Sequence, residues 1–242
     1  MKKIIFLFAI LHSCSVVFSQ STDTIKKSVS GAVTITDNGI SLVPAFTLDK
    51  PAAIFDLAVR KNKFSFEPEW AFDFNSKPWY FVFWFRYKLV ESSRFNMGVG
   101  FHPGFLFSAT NTLVNGINNQ YLTTSRFFVE ELTPSYAISE KVSIGVYYQH
   151  SQGFNNILRQ SHFVGLNSNF SGISLGDKFY MKAIPEIYYL KNDEKDGFYA
   201  TSTFTFAKKD FPFSISSVIN KKLSSTIPSK DFLWNFSLTY SL

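Results

Sequence analysis

Large apolar and small polar residues alternate along much of this 242-residue chain. The clearest run is the terminal "FLWNFSLTYSL", in which every even position from 232 to 242 is large and apolar. The odd positions from 235 to 241 are asparagine, serine or threonine. Because successive side chains of a β-strand point to opposite faces, this period of two predicts a strand with one apolar and one polar face.

The same alternation recurs along the chain and predicts about twelve strands. In the segment 79–89, Trp79 and the other odd positions are large and apolar, whereas Trp84, Arg86 and Lys88 stand on the even face. The predicted strands cover residues 40–48, 52–59, 64–74, 79–89, 95–107, 125–138, 141–151, 161–174, 178–190, 197–207, 211–220 and 232–242.

Two features complicate this pattern. The stretch 29–36 also alternates, and "DNG" at 37–39 resembles a hairpin turn, but we interpret residues 20–39 as a lead-in or an extension of the first strand. Four prolines lie inside predicted strands, and we expect them to mark bulges or strand ends because proline cannot donate to a strand ladder. These prolines are Pro68, Pro103, Pro134 and Pro185.

The connections between the predicted strands alternate in length. Residues 91–93, 139–141, 176–177 and 208–210 form very short links, whereas 111–124, 151–160, 191–196 and 221–230 form longer ones. Short turns at one end and longer loops at the other are typical of transmembrane β-barrels, with the short turns on the periplasmic side. The sequence therefore predicts an all-β, antiparallel transmembrane β-barrel over residues 40–242.

Composition agrees with strands whose apolar face contacts lipid. The chain contains 29 Phe, 11 Tyr and 4 Trp, yet its mean hydropathy is only +0.02, so apolar residues are interleaved with polar ones. Beyond the N-terminus, no run approaches the roughly 18 apolar residues of a membrane-spanning helix. The net charge of +6 is scattered along the chain and does not indicate a nucleic-acid partner.

Residues 1–19 have the layout of a cleaved signal peptide, with two lysines, an apolar stretch and small residues before Gln20. A lipoprotein signal at Cys14 is the alternative, but His12 fits the lipoprotein cleavage box poorly. Cleavage near Gln20 removes the only cysteine, so we expect no disulfide and no thiol chemistry. No metal-ligand spacing or nucleotide motif occurs, and we predict neither a metal nor a cofactor.

With these features, the sequence resembles the bacterial outer-membrane β-barrel class, and its general style resembles proteins of Bacteroidota. The resemblance implies outer-membrane lipid as the surroundings and the barrel-assembly machinery as a partner during insertion. The insertion signal that this machinery reads corresponds here to Trp234, Phe236, Leu238, Tyr240 and Leu242.

Charged residues on the inward face are the main candidates for function. A simple register through the turn at 75–78 places Glu67 opposite Arg86, with Glu69 and Lys88 on diagonals. Lys182 and Glu186 share one face of another strand, and we interpret Trp84, beside Gly98 and Gly100, and His102 as wall residues. The cluster is either a structural network that offsets the cost of burying charge or a constriction that selects solutes by charge.

The segment "YYQHSQGFNN" at 147–156 resembles part of outer-membrane phospholipase A, in which a histidine and a serine lie two residues apart on the lipid-facing side of a strand. Here His150 is expected to face lipid, but Gln152 stands at the nucleophile position and Ser151 points the other way. We therefore predict no catalytic residues and a narrow, porin-like channel. A non-catalytic barrel subunit of an envelope complex and a lipid-modifying enzyme are the alternatives.

Overall fold

A computed structural model describes residues 27–114, 117–154 and 158–242, and gives no side-chain detail for 112–118. The predicted signal peptide and Cys14 therefore lie outside the described residues. Within them, the only helix is a single 3-10 turn, Pro44–Phe46, and no helix is long and apolar enough to cross a membrane. All other regular structure is β-strand.

The strands follow one another as an antiparallel meander. They are β1 (Lys27–Thr36), β2 (Ala52–Lys61), β3 (Phe64–Asp73), β4 (Pro78–Glu91), β5 (Phe95–Val114), β6 (Ile117–Ala137), β7 (Val142–Gly153), β8 (Gln160–Ser174), β9 (Phe179–Asn192), β10 (Lys195–Lys208), β11 (Phe213–Ser225), β12 (Phe232–Trp234) and β13 (Ser237–Ser241). The short segments β12 and β13 both pair with β11 and together form one interrupted strand. The result is the predicted barrel of twelve strands.

The ring closes between its two ends. β13 pairs antiparallel with β1 from Ala32 opposite Ser241 to Thr36 opposite Ser237. The buried Asn235 side chain continues the seam where the last strand is interrupted, accepting from the Val218 backbone N–H at 2.8 Å and donating to Thr36 Oγ1 at 3.2 Å. Closure leaves no edge strand, which is the condition for a sheet to stand in lipid.

The start of the barrel differs from the prediction. Residues 29–36 belong to β1, a full member of the ring, so their interpretation as a lead-in or extension was wrong. The predicted strand at 40–48 does not form; these residues belong to a connection of fifteen residues between β1 and β2 that contains the 3-10 turn. Alternation alone could not separate the two segments, because both have a period of two and only β1 has a partner at each edge.

Several predicted loops are also shorter than expected. Residues 111–124 are mostly strand, because β5 and β6 continue into one hairpin of 20 and 21 residues. A spanning strand needs about 9 to 11 residues, so this hairpin extends well beyond the barrel. β9 and β10 are joined by only Asp193 and Glu194.

We call the end of the barrel with the β2–β3, β4–β5 and β6–β7 links the turn end, and the opposite end the loop end.

The four prolines lie within strand interiors without causing a bulge. Beside each proline, pairing with one neighbouring strand is interrupted, but the register is identical on both sides of the gap. The prediction that they mark bulges or strand ends was wrong, because a missing donor removes a ladder bond without inserting a residue.

A bulge does occur near Ala71 and Phe72 of β3, where Tyr80 and Pro78 are their respective partners. Trp79 is the extra residue, and it is buried inside the barrel rather than on the predicted lipid face.

Candidate functional site

The connection between β1 and β2 folds into the barrel from the loop end. We call residues 38–50 the inward segment. Its apolar side chains pack against two buried clusters: Val43, Phe46 and Leu48 against one that includes Trp79 and Phe127, and Leu42 and Val43 against one that includes Tyr188 and Tyr199. The segment therefore fills part of the lumen and separates two groups of wall residues.

Polar contacts hold the inward segment in place. Trp79 Nε1 donates to the Phe46 carbonyl at 2.8 Å, and the Tyr188 hydroxyl donates to the Leu42 carbonyl at 3.2 Å. Lys230, between β11 and β12, forms an ion pair with Asp49 at 2.8 Å. Backbone bonds between Gly39 and Lys50 and between Leu48 and Gly39 close the base of the segment. These contacts connect it to opposite sides of the barrel.

A cavity of about 520 Å³ lies in the lumen against the inward segment. This volume is within the range of small-molecule sites in proteins. Its wall is largely aromatic and aliphatic, and its ionisable members among the described residues are two glutamates, one histidine and two tyrosines. They are Glu69, Glu186, His102, Tyr80 and Tyr147.

A charge network lies next to this cavity along the wall. Arg86 Nη1 is 2.6 Å from Glu67 Oε2, and Arg86 Nε is 2.6 Å from Glu131 Oε1. Arg60 forms a second ion pair with Glu67 at 2.7 Å. The Tyr147 hydroxyl donates to Glu131 at 3.0 Å, so the almost fully buried Glu131 carboxylate has several donors. Each charge therefore has an opposite partner, which buried ions require.

Gly100 allows the Arg86 and Glu131 side chains to meet. Arg86 on β4 and Glu131 on β6 both pair with Gly100 of the intervening strand β5. A Cβ atom at Gly100 would lie 2.7 Å from Glu131 Oε1 and 3.0 Å from Arg86 Cγ, which is too close for either. Trp84, which we expected beside Gly98 and Gly100, does not fill this space, because the ion pair occupies it. The Trp84 ring instead contacts two neighbours: its centroid is 4.1 Å from the Arg86 guanidinium carbon and 4.2 Å from the centroid of the His102 ring.

The structure brings Glu67 and Arg86 together, but in a different register from the simple one. Glu67 is opposite Trp84, and Arg86 is opposite Ser65, so the ion pair is diagonal. At the loop end of the hairpin Phe72 pairs with Pro78, and the bulge then changes the register by one residue, so that β4 lies two residues away from the simple register. A shift of two preserves the faces, and both side chains remain inward.

The other predicted charges are spread along the wall. Glu69 accepts a hydrogen bond from the Tyr80 hydroxyl and lines the cavity. Lys88 lies near the turn end and pairs with Glu91 at 2.7 Å rather than with the network. Lys182 shares a strand face with Glu186 and forms no ion pair within the part of the chain that the structure describes. Glu186 itself lines the cavity.

Sequence reasoning missed four inward polar residues: Asp56, Arg60, Glu131 and Tyr147. Alternation along β2 could have found Asp56 and Arg60, because both share the face of buried Ala52. Glu131 was harder to place, because Glu130 beside it puts a carboxylate on each face of β6 and leaves the parity undecided.

The terminal strand has the faces that its alternation predicts. The even positions point outward and are 38% to 66% exposed, whereas Leu233, Asn235 and Ser237 are buried on the inner face. The outward set comprises Phe232, Trp234, Phe236, Leu238, Tyr240 and Leu242. Whether the assembly machinery reads these residues stays a prediction.

His150 lies on the outer surface, as expected. It pairs with Glu130 on β6, at 3.5 Å between Nδ1 and Oε2, and its ring is 4.9 Å from that of His162 on β8. Ser151 is buried on the inner face, and Gln152 follows on the outer one. The Ser151 hydroxyl is therefore on the opposite side of the sheet from the His150 imidazole.

Comparison with known proteins gives a fold and no family. No protein-family model matches the chain, and no curated protein sequence matches it. The solved structure of the KdgM porin has 11% identity and a TM-score of 0.56, and the match covers 88% of this chain and 99% of that one. LpxR from Salmonella typhimurium has 10% identity and a TM-score of 0.48 over 87% and 99% of the two chains. OmpT, an outer membrane protein of Vibrio cholerae, has 10% identity and a TM-score of 0.39 over 93% and 100%. The match to the KdgM porin shows that the chain has the fold of an outer-membrane β-barrel.

Proposed function

We propose that this protein is a narrow, porin-like channel of the outer membrane. The observation that carries the proposal is a cavity of about 520 Å³ inside a closed ring of strands, beside a wall network of opposite charges. Aligned charges in a narrow lumen select solutes by sign. The inward segment narrows the lumen from the loop end, so we expect small conductance steps rather than a wide aqueous pore.

The test is planar-bilayer recording of the purified protein in a salt gradient. Glu67→Gln removes a negative charge from the lumen and should shift the reversal potential toward anions, whereas Lys182→Gln should shift it toward cations. Lys208→Gln removes a charge outside the lumen, near the turn end, and is the matched control. An unsubstituted protein that does not conduct would contradict the channel. So would a reversal potential that is the same in the unsubstituted protein, in Glu67→Gln and in Lys182→Gln.

A barrel subunit of an envelope complex is the second candidate. It is favoured by the long β5–β6 hairpin, which extends beyond the barrel and offers a surface for a partner. It is also favoured by the inward segment, which would act as a plug in a subunit that does not conduct. A silent parent that conducts once residues 40–48 are replaced by a short glycine-serine linker would support this candidate over the channel.

Location and insertion complete the proposal. We infer that residues 1–19 direct export, that the mature chain lies in outer-membrane lipid, and that the barrel-assembly machinery inserts it by way of its terminal strand. We assign no lipid-modifying activity, since the Ser151 hydroxyl and the His150 imidazole are on opposite faces of the sheet.

A further inference from the structure

The cavity wall has an imbalance of charge. Glu69 and Glu186 both line it, whereas no lysine or arginine among the described residues does. The chain as a whole is basic, with a net charge of +6. A site that collects carboxylates inside a basic protein therefore differs in sign from its surroundings.

The nearby arginines form ion pairs with other carboxylates. Arg86 is held by Glu67 and Glu131, and Arg60 by Glu67. Lys182 forms no ion pair with Glu186 in the described part of the chain, although the two share a strand face. Among the residues that the structure describes, no ammonium or guanidinium group therefore lies within ion-pair distance of the Glu69 or Glu186 carboxylate.

Two cavity residues also have a buried polar atom with no hydrogen-bond partner. They are Glu186, through Oε1, and His102, through Nδ1. His102 as a whole residue is only 6% exposed. The Glu186 carboxylate is pressed against Gly165, in the space that a Cβ atom there would need. Buried polar atoms in native proteins almost always have partners, so unpaired ones beside a cavity indicate a ligand or water that supplies them.

A third carboxylate borders the site. Asp56 lies directly opposite Glu69 on the neighbouring strand, and both point inward. The Tyr80 hydroxyl donates to one oxygen of Glu69. Two adjacent acidic groups repel each other when both are ionised, and a bound cation relieves that repulsion.

The remaining wall is suited to an apolar body next to a positive charge. Trp79, Phe127, Tyr147 and Phe163 surround the cavity with aromatic rings. Aromatic faces attract ammonium groups through the ring quadrupole, and the attraction grows when water is excluded. Carboxylates and aromatic rings together are the chemistry that recognises organic cations.

We propose that the cavity binds a small organic cation, with its ammonium group against the Glu186 carboxylate and its apolar part against the aromatic wall, while Glu69 on the facing wall adds to the negative charge of the site. The organic cation is then the class of solute that the proposed channel would pass. Its passage rests on the proposed function, whereas its binding does not, because binding can be measured without conduction. A conducting protein that does not bind the cation contradicts only this inference. Binding without conduction contradicts only the channel.

The test uses 2-phenylethylammonium and 3-phenylpropionate, which share a ring and a short chain but carry opposite charges. Each is titrated into the folded, detergent-solubilised protein, and binding is followed by calorimetry and by the fluorescence of Trp79 and its neighbours. We expect the ammonium compound to bind and the carboxylate not to bind. Glu186→Gln should weaken binding of the cation by about tenfold or more, and Glu69→Gln should weaken it by a smaller factor.

Glu194→Gln removes the same charge from the turn between β9 and β10 and should leave binding unchanged. Folding of every variant is checked by its faster gel migration before boiling. Equal binding of the two probes, binding of neither, or parent-like affinity in both cavity variants would overturn the proposal. Because Glu69 and Glu186 are on different strands, misfolding of one variant still leaves the other as a test.

Discussion

Arg86 joins strands that are not neighbours in the sheet. Its guanidinium contacts Glu67 on β3 and reaches across Gly100 of β5 to Glu131 on β6. The Glu131 side chain is only 3% exposed, so its charge depends on Arg86 and on the Tyr147 hydroxyl. A buried ion pair adds little net stability, but removing one partner leaves an uncompensated charge.

We therefore predict that Arg86→Gln lowers the free energy of unfolding by about 3 kcal/mol. Glu131→Gln in the same chain should recover most of that loss, because no buried charge then lacks a partner. Urea unfolding in detergent micelles, followed by tryptophan fluorescence, measures both values. A double variant whose loss equals the sum of the two single losses would show that the residues do not act as a pair.

At the scale of elements, the inward segment is the feature that decides what the lumen can hold. Its 3-10 turn is too short to be stable alone, and it is held by the walls that it contacts. The Trp79 indole N–H is central, since it reaches the Phe46 carbonyl at 2.8 Å while the ring fills the first buried cluster. The β-bulge that turns Trp79 inward is therefore part of how the segment is anchored.

Trp79→Phe should loosen the inward segment, because it leaves the Phe46 carbonyl without its donor and reduces packing. Leaving a buried acceptor unsatisfied costs about 1–3 kcal/mol. Val43 packs against both clusters. In a Val43→Cys chain, the added Trp79→Phe change should make labelling by a water-soluble maleimide about tenfold faster or more.

The mature chain has no other cysteine if cleavage falls near Gln20, so labelling reports on position 43 alone. Trp234→Phe makes the same change on the lipid face and is the control. An unchanged labelling rate in Trp79→Phe would mean that the indole hydrogen bond does not restrain the segment.

At the scale of the whole molecule, stability depends on closing the ring with one face in lipid. The seam between β1 and β13 has five residue pairs. Two side chains extend it, since Asn235 Nδ2 donates to the Asn38 carbonyl and Asp37 Oδ1 accepts from the Phe236 N–H. The outer face of the last strand is apolar along its full length. Charges on that face should be tolerated only near the membrane surface.

Phe236→Arg should destabilise the barrel by about 2–4 kcal/mol, because position 236 lies midway along the last strand and faces lipid. Phe232→Arg puts the same side chain on the same face at the loop end and should cost about 0–1 kcal/mol. Guanidinium unfolding in lipid vesicles compares the two. Equal costs would mean that this strand does not cross the membrane at the depth expected.

The sequence by itself determined the class of fold and the orientation of most strands. Alternation of apolar and polar residues is a local property of the chain, so it was enough to predict which residues of the terminal strand face lipid. The structure agrees at every even position from 232 to 242. It also led to twelve strands, although the first was placed at 40–48 instead of 27–36. Glu67 and Arg86 were both predicted to point inward. The structure agrees although the predicted register was wrong by two residues, because a shift of two residues leaves each side chain on the same face.

Only the tertiary structure decided what occupies the lumen. The inward segment alternates like a strand, and it folds into the barrel because both edges of β1 and β2 are already paired. Glu131 reaches Arg86 only because Gly100 intervenes, and Trp79 turns inward only through a bulge. Lys88, predicted in the cluster, pairs with Glu91 instead. Such contacts depend on the register and curvature of the closed sheet, which bring together residues that no spacing along the chain relates.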